Sequence, residues 1–149
     1  MEITDAVRLV LARKGYHVSA VPADCPVLDA LKRMADEDIG ALAVMEGDRL
    51  LGVFTERDYA RKIVLLGRSS AETTVAEAMT HPATKVNPAA SVDECMRLMV
   101  SNRSRHIFVM DEGKVLGLVS IGDLVNWTIS AQAHTIAHLH GYIAGSYPA

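Results

Sequence analysis

Two short stretches of the chain share the pattern G-x-x-[ST]-x-x-D, whose residue types could recognise a sugar. They lie at residues 52–58 and 117–123. An ionised carboxylate can accept two hydrogen bonds from the 2′,3′-diol of a ribose, and a position on the first turn of a helix keeps it charged. The neighbouring hydroxyl and backbone N–H groups would then face the sugar or a phosphate. The predicted ribose contacts are Thr55 and Asp58 in the first stretch, and Ser120 and Asp123 in the second.

The same residues have a second interpretation, as helix caps. In a capping box, a hydroxyl and an acid three residues later satisfy free backbone N–H groups at a helix start. Comparable pairs occur at residues 91/94 and 74/77, where no ligand is in view. Capping boxes prefer Glu or Gln at the last position, whereas both stretches carry the shorter Asp. The glycine in each stretch also indicates a backbone that something approaches closely. The pattern alone leaves both interpretations open.

Each stretch ends a longer unit that occurs twice. Residues 27–61 align without a gap on residues 92–126, an offset of 65, with seven identities in 35 positions. Each copy predicts a short strand, a helix with one apolar face, two strands around a tight turn, and a second helix. The predicted strands are 17–21, 41–45 and 50–54 in the first copy, and 84–86, 106–110 and 115–119 in the second. The second helices are predicted over 56–66 and from 121 onward, and a lead helix over 4–14.

The predicted fold class is therefore α+β (mixed α/β), with two β-α-β-β-α units packed face to face about a pseudo-two-fold axis. Each unit alone has one helical layer on a small sheet, so two copies can cover each other's exposed sheet faces. The predicted organisation is a lead helix (1–16), a first repeat (17–67), a linker with a short helix (68–79), a second repeat (80–128), and a C-terminal helix and tail (129–149).

The repeated unit and its G-x-x-[ST]-x-x-D ending resemble CBS (cystathionine-β-synthase-type) domains over roughly residues 17–128. The resemblance implies that each motif Asp holds the ribose of an adenine nucleotide with help from its Thr or Ser. It also implies that residues of the first strand of each repeat lie against the adenine. Those positions here are Val21, Thr84 and Val86.

The two copies differ where the resemblance implies a phosphate contact. The second hairpin starts after a basic stretch that includes Arg105 and His106, and a guanidinium fork matches phosphate oxygens. The first copy has no charge at the equivalent Gly40 and Ala41, so Arg57 is the candidate that would compensate there. We therefore expect two unequal sites, the stronger one built on Asp123. The alternative for Arg105 and His106 is a solvated strand end.

Composition excludes several other classes. The formal net charge of −3 supplies no basic surface of the kind that binds nucleic acid. The start of the sequence has no signal-peptide pattern, and no stretch is apolar enough for a membrane span. Two cysteines without CxxC spacing favour a reducing, cytoplasmic location.

Catalytic and metal sites find little support. We find no P-loop, no nucleophile elbow and no dinucleotide fingerprint, so we predict no enzyme and no catalytic cofactor. His134 and His138 have helical spacing, and His140 follows them, but we expect an exposed or packing role and no metal site. Cys25 and Cys95 are expected to be inert thiols, with Cys25 kept as a remote redox candidate.

The predicted function is a non-catalytic sensor that binds AMP, ADP, ATP or NAD(H). Because no effector domain is present in the sequence, its output would come from a homodimer or from an unknown protein target, with the tail at residues 136–147 adding to that contact. The rival is an interaction scaffold in which Asp58 and Asp123 only cap helices. An enzyme acting on a nucleotide is a third and weaker alternative.

Overall fold

The computed structural model describes residues 3–143, with side chains described for residues 3–133. The elements in chain order are α1 (Val7–Lys14), β1 (Ala20–Pro22), α2 (Val27–Glu37), β2 (Ala41–Glu46), β3 (Arg49–Thr55), α3 (Glu56–Asp58), α4 (Val75–Ala78), β4 (Lys85–Val86), α5 (Val92–Asn102), β5 (His106–Asp111), β6 (Lys114–Ser120) and α6 (Ile121–Ile143). Helix α3 continues as a π-helical segment over Tyr59–Val64.

The two repeats form two three-stranded sheets of the same design. Their strand orders are β1-β2-β3 and β4-β5-β6, with the first pair parallel and the second antiparallel in each sheet. The parallel pair is possible because a whole helix, α2 or α5, crosses between its strands. Each hairpin has a register shift at the same place, after Val44 in one and after Val109 in the other.

The sheets pack face to face, as predicted. Side chains alternate along β2, so Leu42 and Val44 enter the core of the first repeat while Ala41 and Ala43 face the other sheet. Phe108 of β5 belongs to the same inter-sheet cluster as these two alanines and is fully buried. Small side chains on one sheet thus receive a large one from the other. The α+β class and the face-to-face arrangement of the two units are confirmed.

The chain segment in front of each repeat completes the other repeat. Helix α1 packs on the second repeat, where the N–H of Val7 donates to the carbonyl of Ala90 at 2.7 Å and the N–H of Val92 donates to Asp5 at 2.9 Å. Helix α4 packs on the first repeat through equivalent backbone bonds, from Val75 to Cys25 at 2.9 Å and from Val27 to Thr73 at 2.8 Å. The lead segment and the linker therefore play the same structural part, with an offset of 68 residues between them.

Three predicted elements differ from the structure by more than one residue at an end, and the ends of β2 to β6 differ by at most one residue. The lead helix begins at Val7 instead of residue 4, and the first strand lies at Ala20–Pro22 instead of 17–21. The predicted α-helix over 56–66 has only one α-helical turn, and Tyr59–Val64 follow the wider π pattern, with the N–H of Leu65 bonded to the carbonyl of Ala60. An apolar pattern over so few residues does not distinguish these two helical periods.

Candidate ligand-binding crevices

Both G-x-x-[ST]-x-x-D stretches cross from the last strand of a sheet into a helix, as β3 into α3 and β6 into α6. In the first crossing, the N–H of Asp58 donates to the Thr55 hydroxyl at 3.1 Å and the N–H of Thr55 donates to the carboxylate at 3.0 Å. The second crossing has the same pair of bonds between Ser120 and Asp123, at 3.1 and 2.8 Å. Both stretches are therefore capping boxes, and any ligand contact would come in addition to capping.

Both oxygens of the Asp58 carboxylate have hydrogen-bond or ion-pair partners in the chain. Its Oδ2 accepts the N–H and the hydroxyl of Thr55, each at 3.0 Å. Its Oδ1 accepts the Thr80 hydroxyl at 2.7 Å and lies 3.2 Å from the Lys62 ammonium. The Asp58 side chain is only 6% exposed. Neither oxygen is left without a protein partner, and little of the group reaches solvent.

The carboxylate of Asp123 is more open. Its Oδ2 accepts from the Ser120 N–H at 2.8 Å and from the Lys14 ammonium at 2.5 Å, and the Ser120 hydroxyl also interacts with this carboxylate. The Asp123 side chain is 24% exposed, and Oδ1 keeps its capacity to accept. Burial alone would raise the pKa of Asp123, but the bonds from Lys14 and Ser120 and the charge of Lys14 outweigh it and hold this pKa below its ordinary value. The group stays ionised and ready for a hydroxyl donor.

The glycine of each motif lies under a side chain from the segment that crosses over. A Cβ on Gly117 would lie 2.6 Å from Leu11 of α1, and a Cβ on Gly52 would lie 2.6 Å from the Thr80 carbonyl and 2.8 Å from the Met79 sulfur. Leu11 and Met79 are related by the same offset of 68 residues. The close approach that the two glycines indicated is therefore made by α1 and by the end of the linker.

The predicted phosphate contacts lie at one edge of the second crevice. His106 pairs with Ser120 across the hairpin, and Arg105 is its neighbour in the chain. Burial first, then the charge of Lys14, lowers the pKa of His106, partly opposed by Asp123. The Arg57 guanidinium donates to the Arg103 carbonyl just after α5, at 2.9 Å, and its predicted phosphate contact stays a prediction. This bond ties the first motif to the second repeat.

The three predicted adenine contacts have different placements. Val21 is 5% exposed and packs in the core of the first repeat, and Val86 packs against the core of the second. The hydroxyl of Thr84 accepts from the Asn102 amide at 3.2 Å. The neighbour Ala20 packs on the opposite, inter-sheet face. A base lying against β1 from the inter-sheet side would therefore meet Ala20 and not the side chain of Val21.

Sequence analysis missed three partners of the motif carboxylates: Lys14, Lys62 and Thr80. Lys62 follows Asp58 by four residues, which is the spacing of a helical ion pair and could have been noticed. The other two come from the crossing segments. Sliding the sequence by 68 residues aligns the apolar residues of α1 with those of the linker, and this weaker second repeat was the available signal.

The remaining candidates do not add a site. Burial, then Asp29 and Asp24, raises the pKa of the Cys25 thiol, and burial raises that of Cys95 to about 11, so neither favours a reactive thiolate. The side chains of His134, His138 and His140 lie outside the described residues. Among residues 3–133, no three potential metal ligands come together.

A cavity of about 610 Å³ lies between the hairpin turns, with Arg49, His81 and Lys85 in its lining, and neither motif carboxylate borders it.

Residues 16–65 and 75–130 match the CBS domain family. This chain belongs to the CBS domain family. It is 41% identical over 129 residues to the mitochondrial CBS domain-containing protein CBSX3 of Arabidopsis thaliana, a match that covers 83% of this chain and 63% of that protein. The chain thus spans less than two thirds of the length of this relative.

Solved CBS structures share the architecture. A protein with CBS domains from Burkholderia ambifaria is 47% identical, covers 86% of this chain and 96% of its own, and superposes with a TM-score of 0.82. A hexameric CBS-CP12 protein from cyanobacteria is 27% identical, with a match that covers 81% of this chain and 69% of that protein and a TM-score of 0.72.

Within the described residues, no helix has the length and apolar character that a membrane span requires. Cytoplasmic location stays a prediction, since the Arabidopsis relative is mitochondrial by its description.

Proposed function

We propose that this chain is a regulatory CBS pair that binds an adenosine ligand of the AMP, ADP, ATP or NAD(H) class at the Asp123 crevice and catalyses no reaction. One observation carries the proposal: the two motif carboxylates are not equivalent. Among the described residues, Asp58 has geometric hydrogen-bond donors on both oxygens, whereas those of Asp123 lie on Oδ2. A ribose hydroxyl can therefore bond to Oδ1 of Asp123 without first breaking an internal bond. The expected stoichiometry is one ligand per chain.

The surroundings of Asp123 suit the rest of such a ligand. The Lys14 ammonium lies 2.5 Å from the carboxylate, and Arg105 and His106 lie within electrostatic range of this group of charges. The two cations, Lys14 at the carboxylate and Arg105 beside His106, favour a ligand that brings negative charge of its own, as a nucleotide phosphate does. In the first crevice Lys62 pairs with Asp58 in a similar way, but Gly40 stands where the second repeat has Arg105.

The proposed output is a change in self-association or in binding to a protein target. Asp123 lies in the first turn of α6, a helix that runs on to Ile143, so ligand at this carboxylate acts directly on the start of that helix. Val125 and Ile129 of α6 are exposed, as are Leu65 and Leu66 after the π-helical segment. The hexameric cyanobacterial relative supports self-association in this family. A ligand shifts such an equilibrium only by its different affinity for the two states.

Thermal melting of the purified protein against a panel of AMP, ADP, ATP, NAD⁺ and NADH tests the proposal. A ligand at about 100 times its dissociation constant adds roughly 2.7 kcal/mol, which raises the melting temperature by about 5–10 °C at this chain length. Asp123→Ala should abolish the shift. The matched control is Ser91→Ala, because Ser91 caps α5 by accepting from the Glu94 N–H at 3.1 Å, in the other helix of the same repeat.

A second candidate function, an interaction scaffold, is favoured by the capping boxes at both motifs. If it is correct, no member of the panel shifts the melt, and Asp123→Ala melts earlier by an amount similar to Ser91→Ala. A shift by one ligand that survives in Ser91→Ala and disappears in Asp123→Ala contradicts the scaffold.

A further inference from the structure

Lys14, the last residue of α1, enters the crevice of the second repeat from a distant part of the sequence. Its ammonium donates to the Leu118 carbonyl at 2.6 Å and to Oδ2 of Asp123 at 2.5 Å. Its side chain is 34% exposed, so a ligand at Asp123 would contact it. The residue lies outside both motifs.

The fold fixes the position of this ammonium. Leu11, one turn earlier in α1, is fully buried and packs over Gly117. The N–H of Gly15 closes the end of the helix on the Leu11 carbonyl at 2.7 Å. These contacts hold the backbone of Lys14, and the bonds to Leu118 and Asp123 hold its ammonium. A group preorganised in this way loses little entropy when a ligand binds.

On the basis of the proposed function, we propose that Lys14 gives the Asp123 crevice its preference for a phosphorylated adenosine over adenosine itself. A neutral ribose bonds to the open Oδ1 of Asp123 and offers the ammonium on Oδ2 no new partner. A ligand that carries phosphate supplies a second anion, so the ammonium can share or exchange partners without losing its charge pairing. The preference therefore depends on a positive charge at this position.

Among the described residues, no lysine from a crossing segment contacts the motif carboxylate of the first repeat. The segment that crosses onto it presents Met79 and Thr80 beside its motif, and Thr80 gives Asp58 a neutral hydroxyl at 2.7 Å. The two crevices thus receive different chemistry from equivalent segments, and only the second receives a cation from outside its own repeat.

The test is isothermal titration of AMP and of adenosine into the full chain and three variants: Lys14→Met, Lys14→Arg and Arg13→Met. Arg13→Met is the matched control, because it removes the same charge from the same helix while Arg13 faces Trp127, 5.6 Å from its ring centre. We expect the unsubstituted chain to bind AMP at least about tenfold more tightly than adenosine. Lys14→Met should remove most of that ratio, and Lys14→Arg and Arg13→Met should keep it. Circular dichroism checks that each variant is folded.

The outcomes separate the two proposals. If neither ligand binds the unsubstituted chain, the adenosine site itself is wrong, and the role of Lys14 falls with it. If AMP binds and Lys14→Met keeps the full ratio, or improves both affinities equally, Lys14 is only a structural counter-ion of Asp123 and the selectivity proposal is overturned. A ratio that collapses in Arg13→Met as well as in Lys14→Met would overturn it too, because net charge alone would then explain the effect.

Discussion

Replacing Gly117 by alanine, alone and together with Leu11→Ala, tests whether the lead helix belongs to the second repeat. In the folded chain a new Cβ at position 117 would lie 2.6 and 2.9 Å from the two methyl carbons of Leu11. Ordinary contacts between carbons begin near 3.5 Å, so about 1 Å of movement is needed in a fully buried region. We expect Gly117→Ala to cost about 1–3 kcal/mol by overpacking.

The pair should not be additive. Leu11→Ala alone creates a cavity and should cost about 2–5 kcal/mol. In the double variant the added methyl group occupies part of that cavity without a clash, so the loss should be smaller than the sum by at least about 1 kcal/mol. Guanidinium unfolding followed by circular dichroism measures these values. Trp127, whose indole N–H donates to Asp5 at 2.9 Å, gives a fluorescence signal that reports the docking of the lead segment.

The first repeat provides the control. At Gly52 the nearest atom to a new Cβ is the backbone carbonyl of Thr80, at 2.6 Å, with the Met79 sulfur at 2.8 Å. Shortening Met79 therefore relieves only part of the clash, and Gly52→Ala with Met79→Ala should show weaker coupling than the Gly117 pair. If Gly117→Ala and Leu11→Ala add within about 0.5 kcal/mol, α1 does not pack on β6 as described, and the crossing of the two segments is refuted.

Three further predictions follow from the carboxylates and from His106. Asp58→Ala should destabilise the chain by about 2–3 kcal/mol, because it removes a cap and also a buried carboxylate that Thr80 and Lys62 contact. Asp123→Ala should cost about 0.5–2 kcal/mol, and equal losses in chemical unfolding would contradict the difference in burial. Because burial and Lys14 lower the pKa of His106 from 6.5, this histidine takes up its proton in the unfolded chain before it does so in the folded chain. Its contribution to the stability of the fold is therefore complete above pH 6.5 and falls below it. The melting temperature should drop less between pH 7.5 and pH 5.5 in His106→Gln than in the unsubstituted chain, and an equal drop would rule this histidine out. Arg57→Ala should cost less than about 1 kcal/mol in chemical unfolding, since its bond to Arg103 is exposed, and a larger loss would mean that this link between repeats is stronger than its geometry indicates.

The local part of the structure could be predicted from sequence. Apolar spacing located α2, α5 and both hairpins, because each depends on neighbours within a few residues. The offset of 65 residues gave the duplication, and the need of each sheet for a cover gave the face-to-face packing. Caps at Thr55 and Ser120 were also visible as patterns. The sequence did not show whether either carboxylate could accept a further hydrogen bond, because that depends on donors from elsewhere in the chain.

The residues around the motifs did not show that α1 packs on the second repeat and the linker on the first. Lys14 is 109 residues from Asp123, and Thr80 is 22 residues from Asp58. Lys62 lies beside its motif and could be noticed, but nothing around either motif indicates that Thr80 reaches Asp58 or that Lys14 reaches Asp123. The prediction of a stronger second site therefore had to rest on Arg105 and His106 instead of on the carboxylates themselves.

This packing of each leading segment on the other repeat also gives a physical reason why the two motif carboxylates of a duplicated protein have different partners. Each motif needs a glycine because a crossing segment packs on it, and the segment that fills this space also brings its next polar residues to the carboxylate. Thr80 follows Met79 directly and reaches Asp58, while Lys14 lies three residues after Leu11 and reaches Asp123. The glycine is thus fixed by packing, whereas the chemistry beside it depends on residues that packing leaves free to vary. A change of side chain at position 14 or 80 therefore changes the partners of a motif carboxylate while the motif itself keeps its sequence.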